Sequence, residues 1–274
     1  MSLKTSLQRL LARAARQRRI REWILGLRGR ILGGRGVYQR RPPFDRELGI
    51  DASGTEPAYL LGLAAPGDYS KAIGYLGVVP SVLRAALMDI PDPASRGFVD
   101  LGCGKGRALA MATEWPFQRI LGIELSPELA RIARRNAERV RKSHPERTPI
   151  EVIEGDATAP SLPEGALAIY FYHPFGEALI AKLADELARA AETRDLVISY
   201  VNPVYAHVFD ARPVFRRWAA RSLPIADEDR PFCEGDHELL LMWRAGPIAD
   251  FAPRPGADRQ LVVTEPGLRV EFAP

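Results

Sequence analysis

The sequence predicts an α/β protein built on a doubly wound, mostly parallel sheet, with a basic helical extension at the N-terminus and a β-hairpin at the C-terminus. Three observations predict it. Short β-like runs alternate with helical patterns from Gly97 to Tyr200. A glycine-rich turn, Gly102-Cys103-Gly104-Lys105-Gly106, joins the first run to the first helix. Acidic residues then recur where the first three runs end, at Asp100, Glu124 and Asp156.

The N-terminal extension comes first. Leu3, Leu7, Leu10, Leu11 and Ala14 fall at helical spacing, as do Ile20, Trp23, Ile24, Leu27 and Ile31. The six positions between Ala14 and Ile20 rotate the second stripe off the first, so two short amphipathic helices or one kinked helix are expected. Residues 1–41 carry twelve Lys and Arg against the single acid Glu22, a net +11, which leaves −7 for the rest of a chain with +4 overall. A basic amphipathic segment of this kind suits an anionic membrane surface, RNA contact or a transit peptide, and equally a helical extension packed on its own domain or on a second subunit. The oligomeric state stays open. Gly33-Gly34-Arg35-Gly36 and Arg41-Pro42-Pro43 read as a linker.

Composition narrows the class. Of 274 residues, 46% are hydrophobic and 26% charged, which excludes a disordered or fibrous chain. No run approaches the 18 apolar residues of a membrane span, and arginines interrupt the apolar pattern where a secretory signal would need continuity. Two cysteines, Cys103 and Cys233, exclude a disulfide framework and fit a cytoplasmic location. Four segments are expected: the extension 1–43, a cap segment 44–92, a main domain 93–247 and a hairpin segment 248–274.

Within the cap segment the sequence shows no strand pattern and one helix, Pro80 to Met88, opened by Pro80-Ser81. Tyr69, Lys71 and Tyr75 are placed to cover a ligand or simply to pack. In the main domain, strands are expected at Gly97 to Leu101, Arg119 to Glu124, Ile150 to Glu154, Leu167 to Tyr172 and Asp195 to Tyr200. Helices fit at Arg107 to Glu114, Pro127 to Ser143 and Gly176 to Glu192. Phe215 to Ala219 and Glu238 to Arg244 follow as strands, one of them antiparallel, joined through the acidic Asp227-Glu228-Asp229. Leu261 to Thr264 and Leu268 to Phe272 flank Glu265-Pro266-Gly267 as the closing hairpin.

In an open parallel sheet a ligand lies beyond the carboxyl ends of the strands, where strand order reverses. Asp100-Leu101-Gly102-Cys103-Gly104-Lys105-Gly106-Arg107 occupies that position. A dinucleotide fingerprint would read G-x-G-x-x-G; here the spacing is G-x-G-x-G and Arg107 stands where the last glycine would be. A strand-end carboxylate such as Asp100 repels a pyrophosphate and attracts a cation. Glu124 is placed to accept hydrogen bonds from both hydroxyls of a ribose, or to serve the N-terminus of the next helix, where Ser126 and Glu128 already resemble a cap. Asp156, in Glu154-Gly155-Asp156-Ala157, is placed to accept from an adenine amino group.

These motifs resemble those of class I S-adenosylmethionine-dependent methyltransferases: D-L-G-x-G-x-G on the first strand, an acid ending the second, and G-D-A after the third. The chain is similar in particular to bacterial members with a D-L-G-[SC]-G-K-G-R loop, preceded by a segment like Phe44-Asp-Arg-Glu-Leu-Gly-Ile-Asp-Ala-Ser-Gly54. The resemblance implies a methyltransferase that uses S-adenosylmethionine and releases S-adenosylhomocysteine. It implies cofactor binding by Asp100, Gly102, Cys103, Gly104, Gly106, Glu124, Leu125, Asp156, Ala157 and Tyr172. Gly102, Gly104 and Gly106 would meet the methionyl part, Glu124 the ribose and Asp156 the adenine.

Strand four runs into Tyr172-His173-Pro174-Phe175, the position of the catalytic turn. Many N-methyltransferases carry [DN]-P-P-[YF] there, so His173 and the single proline Pro174 argue against amine or amide methylation. His173 is expected either to orient the acceptor and take its proton or to hold the turn; Phe175 and Tyr172 either wall the ligand or fill the core. Asn202-Pro203-Val204-Tyr205 either faces the acceptor or opens a short helix. Cys233, Asp236 and His237 are too few for a metal site, so no metal is expected. The acceptor is expected to be a small molecule or a protein side chain. The alternatives are a non-catalytic cofactor-binding scaffold acting through its basic tail, and an NAD-dependent oxidoreductase.

Overall fold

The structure is a computed structural model, and it describes residues 36–56, 74–247, 251–265 and 269–273. The two expected N-terminal helices, Tyr69, Lys71 and the Pro266-Gly267 turn lie outside the described residues.

The cap segment opens with a 3-10 turn, Gly36–Gln39, and the short helix α1, Pro43–Glu47. It also contains a strand pair that the sequence pattern did not suggest: β1, Thr55–Glu56, pairs antiparallel with β2, Tyr75–Leu76. Two-residue strands have no periodicity to read, and this pairing is decided by what lies beneath it. The expected helix follows as α2, Pro80–Met88, burying Val82, Leu83, Ala86 and Leu87. Its N-terminus is capped from far away, because the buried Asp229 carboxylate accepts from Ser81 N at 2.6 Å. The acidic run 227–229 thus serves a helix end 148 residues earlier in the chain.

The main sheet has seven strands in the order β5-β4-β3-β6-β7-β9-β8. They are β3 (Gly97–Leu101), β4 (Arg119–Glu124), β5 (Ile150–Glu154), β6 (Leu167–Tyr172), β7 (Leu196–Val201), β8 (Arg216–Pro224) and β9 (His237–Ala245). The five strands from β3 to β7 run parallel, and β9 is antiparallel to both of its neighbours. Every residue of β3 and β7 is buried, as continuous apolar runs require when helices cover both faces. The edge strand β5 is half exposed.

Several strand ends differ from expectation, those of β7, β8, β9 and the first hairpin strand, Leu261–Glu265, by a residue at one end or both, and β8 most of all at its far end. β7 starts one residue later, at Leu196, because Asp195 pairs with the buried Arg96 below the sheet. β8 continues past Ala219 to Pro224, because its pairing with β9 runs on through Pro224 opposite His237. An edge strand accepts a terminal proline, which has no N–H to offer a ladder.

Helices α2, α3 (Arg107–Ala112) and α4 (Pro127–Ser143) cover one face of the sheet. Helices α5 (Glu177–Ala191) and α6 (Ala206–Asp210) cover the other. Ser126 caps α4, its hydroxyl accepting from Leu129 N, with Pro127 in the first turn. The buried stripe of α4 includes the polar Asn136, whose amide bonds both the N–H and the C=O of Asp51 and also the carbonyl of Lys105. The closing hairpin forms as β10 (Leu261–Glu265) and β11 (Arg269–Phe272), a two-stranded sheet of its own. No helix among the described residues is long and apolar enough to cross a membrane.

The cap segment is held to the main domain by apolar packing, with Phe44, Ile50, Leu83 and Leu87 in the shared core, and by a buried ion pair. Arg107 donates from Nε and Nη2 to both oxygens of Asp45, at 2.9 and 2.7 Å, and from Nη1 to the carbonyl of Val78 at 2.6 Å. Asp45 is completely buried. Breaking a buried pair of this kind from one side costs about 3–5 kcal/mol, because the remaining charge is stranded. Asp45→Ala should therefore lower unfolding free energy by roughly that amount in urea titration, and a change under 1 kcal/mol would contradict the argument.

Candidate active site

Strand order reverses between β3 and β6, which diverge towards β4 and β7 respectively. A cavity of about 230 Å³ opens there, beyond the carboxyl ends of these strands. Its floor is the glycine turn. Gly102, Gly104 and Gly106 all take positive φ, at 83°, 55° and 82°, which explains glycine at each position. Each also touches a different part of the molecule. A Cβ on Gly102 would lie 3.0 Å from Pro174, one on Gly104 only 2.5 Å from the ring of Tyr75, and one on Gly106 3.3 Å from Ala133 of α4.

Asp100, Gly102, Cys103, Gly104, Glu124, Leu125, Ala157, Tyr172, His173, Pro174 and Phe175 all line the cavity, as the sequence led us to expect. Two expected residues do not. Gly106 sits behind the wall, where it caps α3 and packs on α4. Asp156 turns its carboxylate away, accepting from the N–H and hydroxyl of Thr158 at 2.9 and 2.6 Å and meeting Lys182 at 3.4 Å, so that only its neighbour Ala157 faces inward. The local Asx-type turn satisfies that carboxylate more cheaply than the cavity does.

The acids on the wall differ in what holds them. Glu124 accepts from Gly104 N and Ser126 N, both at 2.8 Å, one on each oxygen. Burial pushes its carboxyl up, while these N–H groups pull it back. The Leu125 N–H also bears on this carboxylate, which has about four acceptor sites, so about one stays open. Asp100 is buried, with no cation beside it among the described residues; desolvation and then the nearby Glu124 push its carboxyl well above the usual carboxylate range. Tyr170, paired in register with Asp100, presents a buried hydroxyl that has no hydrogen-bond partner among the described residues. Tyr172 donates to Glu238 of β9 at 2.8 Å. Cys103 is a packing residue: its Sγ would lie 2.7 Å from a Cβ on Gly122, and burial raises its thiol pKa.

His173 occupies the turn after β6 with φ of 31°, and Asn202 the parallel turn after β7 with φ of 50°. Two non-glycine residues in left-handed conformation on adjacent strands mark a strained rim. His173 Nδ1 lies 3.0 Å from the hydroxyl of Tyr200, which also accepts from the backbone N–H of Tyr205. That hydroxyl is buried, so its own proton is best satisfied by Nδ1. Neutral His173 then carries its proton on Nε2. Tyr200 and Glu238 carried no signal in the sequence, since a strand-interior tyrosine and a glutamate opposite Leu223 read as ordinary sheet positions.

Opposite the acids, Gly74, Tyr75, Leu76, Gly77 and Val78 of the cap segment form the roof. The Tyr75 hydroxyl donates to the carbonyl of Ala52 at 2.6 Å.

Residues 98–194 match the sequence family described as "Methyltransferase domain". This stretch of the chain is a methyltransferase domain. The matched segment runs from β3 to the end of α5 and holds every expected site residue. A search of the curated proteins returns no match. Among solved structures, the chain is similar to an RNA methyltransferase from Salinibacter ruber in complex with S-adenosylhomocysteine (18% identity, 65% of this chain and 98% of that one, TM-score 0.42). It is also similar to an O-methyltransferase from Bacillus cereus (14%, 61% and 82%, TM-score 0.46) and to magnesium protoporphyrin IX methyltransferase from Synechocystis (12%, 61% and 77%, TM-score 0.44).

Gly104→Ala should disturb the site twice, through its left-handed backbone and through collision with Tyr75. An affinity for S-adenosylhomocysteine reduced at least tenfold is the expected result in calorimetry, with wild-type affinity the contrary one.

Proposed function

We propose that this cavity binds S-adenosylmethionine and that the turn His173-Pro174-Phe175 presents the acceptor, a small molecule or a projecting protein side chain. The observation that carries the reading is the pair of buried acids, Asp100 and Glu124, on the wall of one cavity, with no cation beside Asp100 among the described residues. The residues fit the cofactor by their chemistry. Asp100 would hold a methionyl ammonium, and the open acceptor site of Glu124 would take a ribose hydroxyl. Leu125, Leu129 and Ala157 offer an apolar slot for a purine. Asp156 has no place in this arrangement unless its turn opens.

Bound S-adenosylmethionine supplies an electrophilic methyl group on a sulfonium. What the protein adds is position and dryness. Phe175 and Tyr172 exclude water from the acceptor side, and Pro174 packs on Gly102 so that the turn and the loop share one geometry. His173, with its proton on Nε2, acts by donating a hydrogen bond to an oxygen of the acceptor. Tyr172 with Glu238 is the better proton sink, because burial raises the glutamate pKa and the tyrosine already donates to it.

His173→Ala should leave S-adenosylhomocysteine affinity within about twofold and reduce labelled-methyl transfer in a lysate screen. Unchanged transfer would remove His173 from the mechanism. Calorimetry should show binding of S-adenosylmethionine and S-adenosylhomocysteine, with no binding of NAD; preferential NAD binding would sink the reading. The raised carboxyl of Asp100 adds a pH signature. A cationic ligand favours the ionised acid, so affinity should fall as pH is lowered through the range where Asp100 takes up a proton. Asp100→Asn should bind more weakly at neutral pH and lose that slope; an unaltered slope would assign it to another group.

A further inference from the structure

We infer that Tyr75, in the cap segment, is a cofactor-binding residue that closes the site over the methionyl end of the ligand. The inference rests on the reading of the cavity as an S-adenosylmethionine site.

Three contacts fix the ring. It lies against Gly104, where a Cβ would approach Cε2 and Cδ2 to 2.5 and 2.6 Å. The Tyr75 hydroxyl is occupied by the carbonyl of Ala52. Lys105 Nζ stands 5.1 Å from the ring centroid, donating to the carbonyl of Ser53 at 2.7 Å and lying 3.6 Å from Glu56. Arg107, one turn on, holds the carbonyl of Val78 at the other end of the same short strand segment. Gly77 permits this closeness, since a Cβ there would meet Ala52 O at 2.7 Å and Arg107 Nη1 at 2.8 Å.

The two cations of the glycine loop therefore fasten the roof of the cavity, which Arg107 also lines. With the hydroxyl engaged inside the protein, what Tyr75 offers a ligand is its ring. That ring lies against Gly104, one of the loop glycines that the resemblance places at the methionyl part, in a cavity that Gly102 and Asp100 also line. An aromatic wall at the loop end recognises the aminocarboxypropyl part of the cofactor and leaves the nucleoside part untouched. Tyr75 is thus a binding residue, and Lys105 a positioning residue that acts through it.

Ligand fragments separate this role from a purely structural one. S-adenosylhomocysteine has the aminocarboxypropyl arm, and 5′-methylthioadenosine lacks it. By calorimetry, Tyr75→Leu should weaken S-adenosylhomocysteine about tenfold and 5′-methylthioadenosine less than about twofold. Tyr75→Phe, which keeps the ring, should retain most of the affinity for both. Lys105→Met should reproduce the selective loss in weaker form. Equal losses for both ligands, or no loss with Tyr75→Leu, would overturn the inference. If the parent protein bound neither ligand while its melting temperature showed it folded, the cofactor reading itself would fall, and the role of Tyr75 with it. Circular dichroism melts of each variant distinguish unfolding from loss of the contact.

Discussion

The left-handed turn of Gly102, Gly104 and Gly106 is the constraint on which the rest of the site depends. Three positive φ values within five residues reverse the chain at the end of β3 and start α3 behind it. Each glycine leaves a space that another segment fills: Pro174 from the turn after β6, Tyr75 from the cap, Ala133 from α4. Glu124 then ties the turn to the end of β4 through Gly104 N. A side chain at any of the three positions would displace a different element, so the loop acts as the common joint of floor, roof and rim.

Charge is distributed so that structural and ligand-facing groups are told apart by what partners them. Arg107 with Asp45, Arg96 with Asp195, and Asp89 with Arg221 and Arg254 are buried or half-buried acids matched by cations from distant parts of the chain. They cross-link the cap and the outer strands to the sheet, where an unmatched partner would be costly. Asp100 and the hydroxyl of Tyr170 are equally buried, yet no neighbour satisfies them among the described residues. A desolvated carboxylate held without a cation raises the energy of the empty site and lowers the relative cost of accepting a positively charged ligand.

The strained rim has the same logic. His173 and Asn202 hold left-handed conformations at the ends of neighbouring strands, supported from below by Tyr200, whose hydroxyl links the imidazole to the backbone of Tyr205. The Tyr200 hydroxyl thus orients the imidazole of His173 from behind.

Much of the fold was legible in the sequence because its signals are local. Continuous apolar runs marked the buried strands, Pro80 and Pro127 marked helix starts, and the G-x-G-x-G spacing after Asp100 marked the ligand end of the sheet. Residue identity and spacing along one strand or turn suffice for these, since backbone conformation and strand direction depend on near neighbours. Where a side chain turns is a different matter. Asp156 was matched by motif and bonds Thr158; Tyr75 was one of three candidates and packs on Gly104; Lys105 and Arg107 of the loop bind the cap. Asp229 reaches Ser81 and Glu238 reaches Tyr172 across separations that no pattern encodes. The sequence by itself determined the sheet, the loop and the kind of chemistry at its end. Only the tertiary structure decided which polar groups are spent on holding the protein together and which are left for a ligand, because that depends on packing between segments far apart in the chain.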